Sequence, residues 1–149
     1  MTRTMTPVLL VLLASALGGA AAMAARRSLR VVEVHGESME PSLRSGDRVL
    51  VRTLRTGRRV RRGDIVVISR VGPGEGVTLD GGTNLVIKRA AAVAGDPVPP
   101  GFEALGETRV PPGRLLVLGD DPSRSTDSRQ WGLLPESRIT GVVIRRLNA

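Results

Sequence analysis

The chain has 149 residues, no cysteine, one histidine and a formal net charge of +8. That leaves room for one domain and excludes disulfides, thiolate metal sites and paired-histidine chemistry, so neither a metal nor a cofactor is expected. One Phe, one Trp and no Tyr leave almost no stacking platform, so the positive charge is not read as a nucleic-acid surface.

Residues 6–25, TPVLLVLLASALGGAAAMAA, carry no charged side chain. Twenty helical residues reach roughly 30 Å, the thickness of a bilayer core, so the segment reads as a transmembrane anchor. A cleaved signal peptide is the alternative, because LGGAAAMAA offers small-x-small sites. The chain therefore divides into a membrane anchor with short flanks over residues 1–28 and a β domain over residues 29–149. Arg26, Arg27 and Arg30 follow the apolar run, and only Arg3 precedes it. Taken alone, the positive-inside rule places the β domain in the cytoplasm.

After Arg30, short runs rich in Val, Ile and Leu alternate with Gly, Pro and Asp, which predicts strands over 29–35, 48–53, 64–71, 84–94, 114–118 and 140–147. RSGD (44–47) and RRGD (61–64) are matching turn signals before two of them. Residues 38–43 and 136–139 suit single helical turns. Residues 72–82 read as a flexible connection and 96–113, with most of the prolines, as an irregular excursion. No segment sustains a 3.6-residue period, so the domain is mainly β and antiparallel. The densest basic run, RTLRTGRRVRR (52–62), is either a solvated loop or a contact for anionic lipid headgroups beside the anchor.

GESMEPSLRSGD (36–47) holds a serine, Ser38, between a glycine turn and a proline. Such serines ordinarily form turns, and a serine hydroxyl becomes a nucleophile only beside a base. His35, three residues earlier, ends an extended segment and reads as a wall residue. Lys88 stands out more. Of 22 basic residues it is the only lysine, and it lies in the apolar run NLVIKRAAAVAG. Arginine keeps its proton in proteins, whereas a buried lysine loses its proton more readily. Lys88 is thus either an incidental strand residue or a neutral amine able to take a proton from Ser38.

GESMEPSL, VIKRAAAVAGD and LGDDPSRSTDSRQWG, in that order, resemble the type I signal peptidases, the S26 Ser-Lys serine proteases. The resemblance spans nearly the whole region after the apolar segment. It implies an antiparallel, barrel-like β catalytic core behind one transmembrane helix. It further implies that Ser38 is the nucleophile, that Lys88 is the general base and that the Ser125 hydroxyl orients the lysine. The Ser38 N–H would be the main oxyanion donor, with Gly36 at the second oxyanion position. Gly119, Asp120, Asp127 and Arg129 would support the site, the last two as an ion pair. Val32, Val34, Met39, Leu43, Val86 and Ile87 would line substrate pockets, with the substrate pairing as a strand near 32–35 and 85–87. The implied partners are membrane lipid and the signal peptides of exported preproteins, with small residues before the cut. The implied location is the plasma membrane, single-pass, with the catalytic domain outside the cytoplasm, against the positive-inside reading.

Two departures accompany the match. Asp121 stands where the family usually has Asn, and the span between the lysine block and LGDD is short, where larger members insert a second β domain. A dedicated maturation protease for one secreted protein and a membrane-tethered basic binding module are the alternatives. A self-cleaving repressor is disfavoured, because an apolar segment lies where its DNA-binding domain would be. A Ser-x-x-Lys lactamase-type site is excluded at Ser38 by Pro41.

Overall fold

The computed structural model describes residues 11–12, 14–15, 19, 28–54, 59–69, 77–79 and 83–148. Most of the expected anchor over 6–25 lies outside the described residues. Among those that are described, no helix is long and apolar enough to cross a membrane.

Among the described residues there are eight strands: β1 (Leu29–Glu33), β2 (Arg48–Thr53), β3 (Ile65–Ser69), β4 (Val77–Leu79), β5 (Thr83–Val93), β6 (Arg114–Leu118), β7 (Leu134–Pro135) and β8 (Ile139–Arg146). Every pairing is antiparallel, in the order β1-β2-β8-β3-β5-β6-β7, with β4 beside β5. The expected antiparallel β domain is therefore present, and β2 and β6 keep their expected bounds. The expected connection over 72–82 contains β4, three residues too few to leave a periodic signal. A four-residue helix, α1 (Ser128–Trp131), also went unforeseen, since one helical turn shows no period.

The RSGD and RRGD signals fold alike. In each, the aspartate carboxylate accepts the N–H of the arginine three residues earlier, at 2.8 Å for Asp47 and 2.9 Å for Asp64. Gly46 and Gly63 adopt φ of 89° and 91°, open to glycine at no steric cost. Residues 38–43 form the expected single turn, not continued into a helix, with Leu43 N–H donating to Met39 O four residues earlier at 2.9 Å. Residues 136–138 form the expected turn as a 3₁₀ helix, Glu136–Arg138.

Strand alternation sorts the apolar side chains onto two sides of the sheet. Val67, Leu85 and Ile87 pack with Val32, Val34, Val49, Val51, Met39 and Leu43. Val66, Ile68, Val86 and Ala90 pack with Leu115, Val117, Leu134 and Ile139. β3 and the middle of β5 are thus buried on both faces, which explains their near-continuous apolar runs. Lys88 interrupts that run in the same alternation as Val86 and Ala90.

Candidate active site

Ser38 sits in the connection between β1 and β2. Backbone bonds between Val34 and residues 46 and 47, both 2.8 Å, close the base of this connection. Met39 and Leu43, each at most 3% exposed, fasten it to the core from within. Burying side chains of this size stabilises by about 1.5–3 kcal/mol each, so the segment carrying Ser38 is held by apolar packing as well as by its turn. Gly36, with φ 90°, precedes Ser38, and the Glu40–Pro41 peptide is cis.

Lys88 lies opposite Val66 of β3 and is 2% exposed. Its Nζ donates to Ser38 Oγ at 2.8 Å. Two residues fifty positions apart, singled out for unrelated reasons, meet at hydrogen-bond distance.

The segment after β6 closes over them. Asp121 N–H donates to Ser38 O at 3.0 Å. A Cβ added at Gly119 would stand 2.6 Å from that same carbonyl and against the Ser125 hydroxyl, so both serines converge on the gap that glycine leaves. Asp127 gathers the loop. Its Oδ2 accepts the Ser125 hydroxyl at 2.6 Å and Gly119 N–H at 2.8 Å, while Arg129 donates through Nε and Nη2 at 2.9 and 2.6 Å. Asp127 also caps α1, accepting Arg129 N–H, while the Gln130 side chain accepts Asp127 N–H. Burial pushes the Asp127 carboxyl up, but the hydrogen bonds from Arg129, Ser125 and Gly119 outweigh it and hold it below the usual carboxylate range.

Asp120 accepts a two-pronged bond from Arg89, at 2.8 and 2.6 Å. Burial pushes its carboxyl up, and the Arg89 and Ser42 bonds more than reverse this, leaving it lowered. Arg89 also donates to Gly63 O and Ser42 Oγ, so the residue after Lys88 ties β5 to the Ser38 connection and to the segment after β6. Sequence reasoning missed Arg89. Its only signal was adjacency to the sole lysine. Asp121, the departure from the expected Asn, accepts Ser123 N–H and Oγ–H at 2.9 and 2.6 Å and starts a 3₁₀ turn, Pro122–Arg124.

The six expected pocket residues are all buried. Val32, Val34, Met39, Leu43 and Ile87 share one apolar cluster, and Val86 packs in the other. His35 lies past the end of β1 and is exposed. Among the described residues β1 ends the sheet order and forms a ladder with β2 alone. β5 pairs with β3 over residues 85–89, with β4 only as far as Leu85 and with β6 only from Arg89. Among the described residues, Val86, Ile87 and Lys88 therefore have a ladder partner on one side only.

A family model described as "Signal peptidase, peptidase S26" matches residues 4–100 and 101–147. The chain is 32% identical over 134 residues to signal peptidase I of Leptolyngbya laminosa, covering 76% of this chain and 66% of that one. It is 29% identical over 130 residues to a probable signal peptidase I-2 of Synechocystis, covering 72% of this chain and 58% of that one. It is also 32% identical over 121 residues to the mitochondrial inner membrane protease subunit 1 of Xenopus tropicalis, covering 78% and 68%. The chain thus spans about three fifths to two thirds of the length of these relatives.

Proposed function

The chain belongs to the peptidase S26 signal peptidase family, and on that premise we propose that it is a membrane-anchored serine endopeptidase that removes signal peptides from exported preproteins. The observation that carries this reading is the 2.8 Å contact between a buried Lys88 amine and the Ser38 hydroxyl.

Desolvation disfavours an ammonium, so burial of Lys88 favours the neutral amine that a general base must be. In the forward step the Lys88 lone pair accepts the Ser38 proton while Oγ bonds to the scissile carbonyl carbon. Collapse of the tetrahedral adduct breaks the C–N bond, and Lys88 returns the proton to the leaving amine. Water then attacks the ester, giving its proton to Lys88, and the C–O bond to Ser38 breaks with Oγ reprotonated. The Ser38 N–H, with Gly36 beside it, serves the developing oxyanion. Ser125, held by Asp127, orients the amine. Gly119, Asp120, Asp127 and Arg129 keep the loop in register.

The substrate enters as an extended strand between the outer edge of β1 and the one-sided stretch of β5 at 86–88. Its small side chains enter pockets beside Val32, Val34, Met39, Leu43, Val86 and Ile87. The segment over residues 1–28 anchors the domain over residues 29–149 on the extracytoplasmic side of the plasma membrane, next to lipid.

The test is processing of a reporter preprotein by the full chain, with the new N-terminus read by mass spectrometry. Wild type yields a single cut after a small residue, while Ser38→Ala and Lys88→Arg yield none. Processing by Lys88→Arg at the wild-type rate sinks the neutral-amine base, because arginine stays charged. Processing by Ser38→Ala sinks the nucleophile.

A further inference from the structure

A second polar feature shares no residue with the Ser38–Lys88 site. A cavity of about 850 Å³ is lined from the end of β2, the turn before β3, the end of β5 and β8. Its lining includes four arginines, Arg52, Arg59, Arg61 and Arg62, and two aspartates, Asp64 and Asp96. Both carboxylates are already engaged, Asp64 by Arg61 N–H at 2.9 Å and Asp96 by Val93 N–H at 3.1 Å. Among the described residues none of the four arginines forms an ion pair. Arg52 Nε is buried without a hydrogen-bond partner.

A guanidinium is always charged, and its N–H groups form a fork that matches two oxygens of a phosphate. A buried N–H with no acceptor costs free energy, so the guanidinium of Arg52, which also lines the cavity, is not fully satisfied by the described residues. Elsewhere among the described residues Arg89, Arg124, Arg129 and Arg146 each pair with a carboxylate. A cationic cavity whose arginines find no carboxylate partner among the described residues calls for an anion. We propose that this cavity binds a phosphate-bearing anion, either free phosphate or the phosphodiester of a phospholipid headgroup. The surroundings suit a headgroup. Ile144 lines the cavity and is 46% exposed, and Leu29, the cross-strand partner of Arg52, is 39% exposed. Apolar surface beside unpaired arginines matches the boundary between acyl chain and headgroup.

The proposal does not depend on the protease reading, and its readout is not proteolysis. The full chain in uncharged detergent, labelled at arginine side chains, is titrated with sodium phosphate and with dihexanoyl phosphatidylglycerol below its micelle threshold. The Arg52 Nε–H resonance is followed by NMR, with sodium chloride at matched ionic strength as the blank. A saturable shift with either probe is the expected result. Phosphatidylglycerol alone assigns the lipid as source, phosphate alone assigns the free ion, and both together assign the phosphate group itself. No saturable shift with either, or the same shift with chloride, overturns the proposal. Arg61→Gln with Arg62→Gln removes two exposed cations without touching the core and weakens binding by about tenfold or more. Unchanged affinity in that variant, and in Arg52→Gln read from the Nε–H resonances of the remaining cavity arginines, each with a native backbone spectrum, also overturns it.

Discussion

Two of the arginine–carboxylate pairs around the Ser38–Lys88 contact, Arg129–Asp127 and Arg124–Glu37, have the same closest approach of 2.6 Å. Arg129–Asp127 closes on a carboxylate with no exposed surface, whereas Arg124 and Glu37 are both about half exposed, at 52% and 54%. The distances do not separate them, but their connections do. Asp127 also holds the Ser125 hydroxyl, the Gly119 N–H and the start of α1. Glu37 and Arg124 join two exposed turns that are already held by backbone bonds. A buried carboxylate that holds a guanidinium, a hydroxyl and two backbone N–H groups organises a site, while an exposed pair of equal length adds little.

The largest effect expected from this contrast is at Asp127. Asp127→Ala leaves Arg129, Ser125 and Gly119 N–H without their acceptor, and a loss of about 3–5 kcal/mol is expected by denaturant unfolding. A loss near that of an exposed pair would erase the contrast. Processing should fall further than stability alone explains, because Ser125 loses the group that fixes its hydroxyl.

The next effect is acid sensitivity. Asp127 and Asp120 are held below the usual carboxylate range in the folded chain. The unfolded chain then binds more protons in the window from about pH 4 downward, so stability is full above that window and is lost as pH falls through the folded values. Thermal melts from neutral to acid should show this loss. Asp127→Asn, less stable at neutral pH, should show a shallower one. An equal slope in the two proteins would remove Asp127 from the account.

The smallest effect is at the exposed pair. Glu37→Gln should cost no more than about 0.2–1 kcal/mol, and less in high salt, as measured by the same unfolding experiment. A larger, salt-independent cost would mean that the turn bearing Ser38 relies on Arg124.

Much of this was legible in the sequence, for identifiable reasons. β2 and β6 appeared with their bounds because each is a short run rich in Val or Leu that follows a Gly-containing stretch. Lys88 appeared because it is the only lysine among arginines, and Ser38 because its surrounding motif is recognisable. β4 and α1 were invisible because three or four residues carry no period. The Arg89–Asp120 pair, 31 positions apart, and the Arg146–Asp47 pair were invisible because the sheet, not the local sequence, brings them together. The orphaned Nε of Arg52 could not be read at all. A run of six arginines in residues 52–62 shows that charge is present, but only the packing shows which donor is left without a partner.

The central claim is that Ser38 is activated by the amine 2.8 Å away. The pH dependence of processing by the full chain, run beside Lys88→Met, which fills the buried site without an ionisable group, tests it most directly. The wild-type rate is expected to climb with pH and level off as an amine loses its proton, with no processing by Lys88→Met at any pH. A flat wild-type profile, or a Lys88→Met chain that still cuts with the same profile, would contradict it.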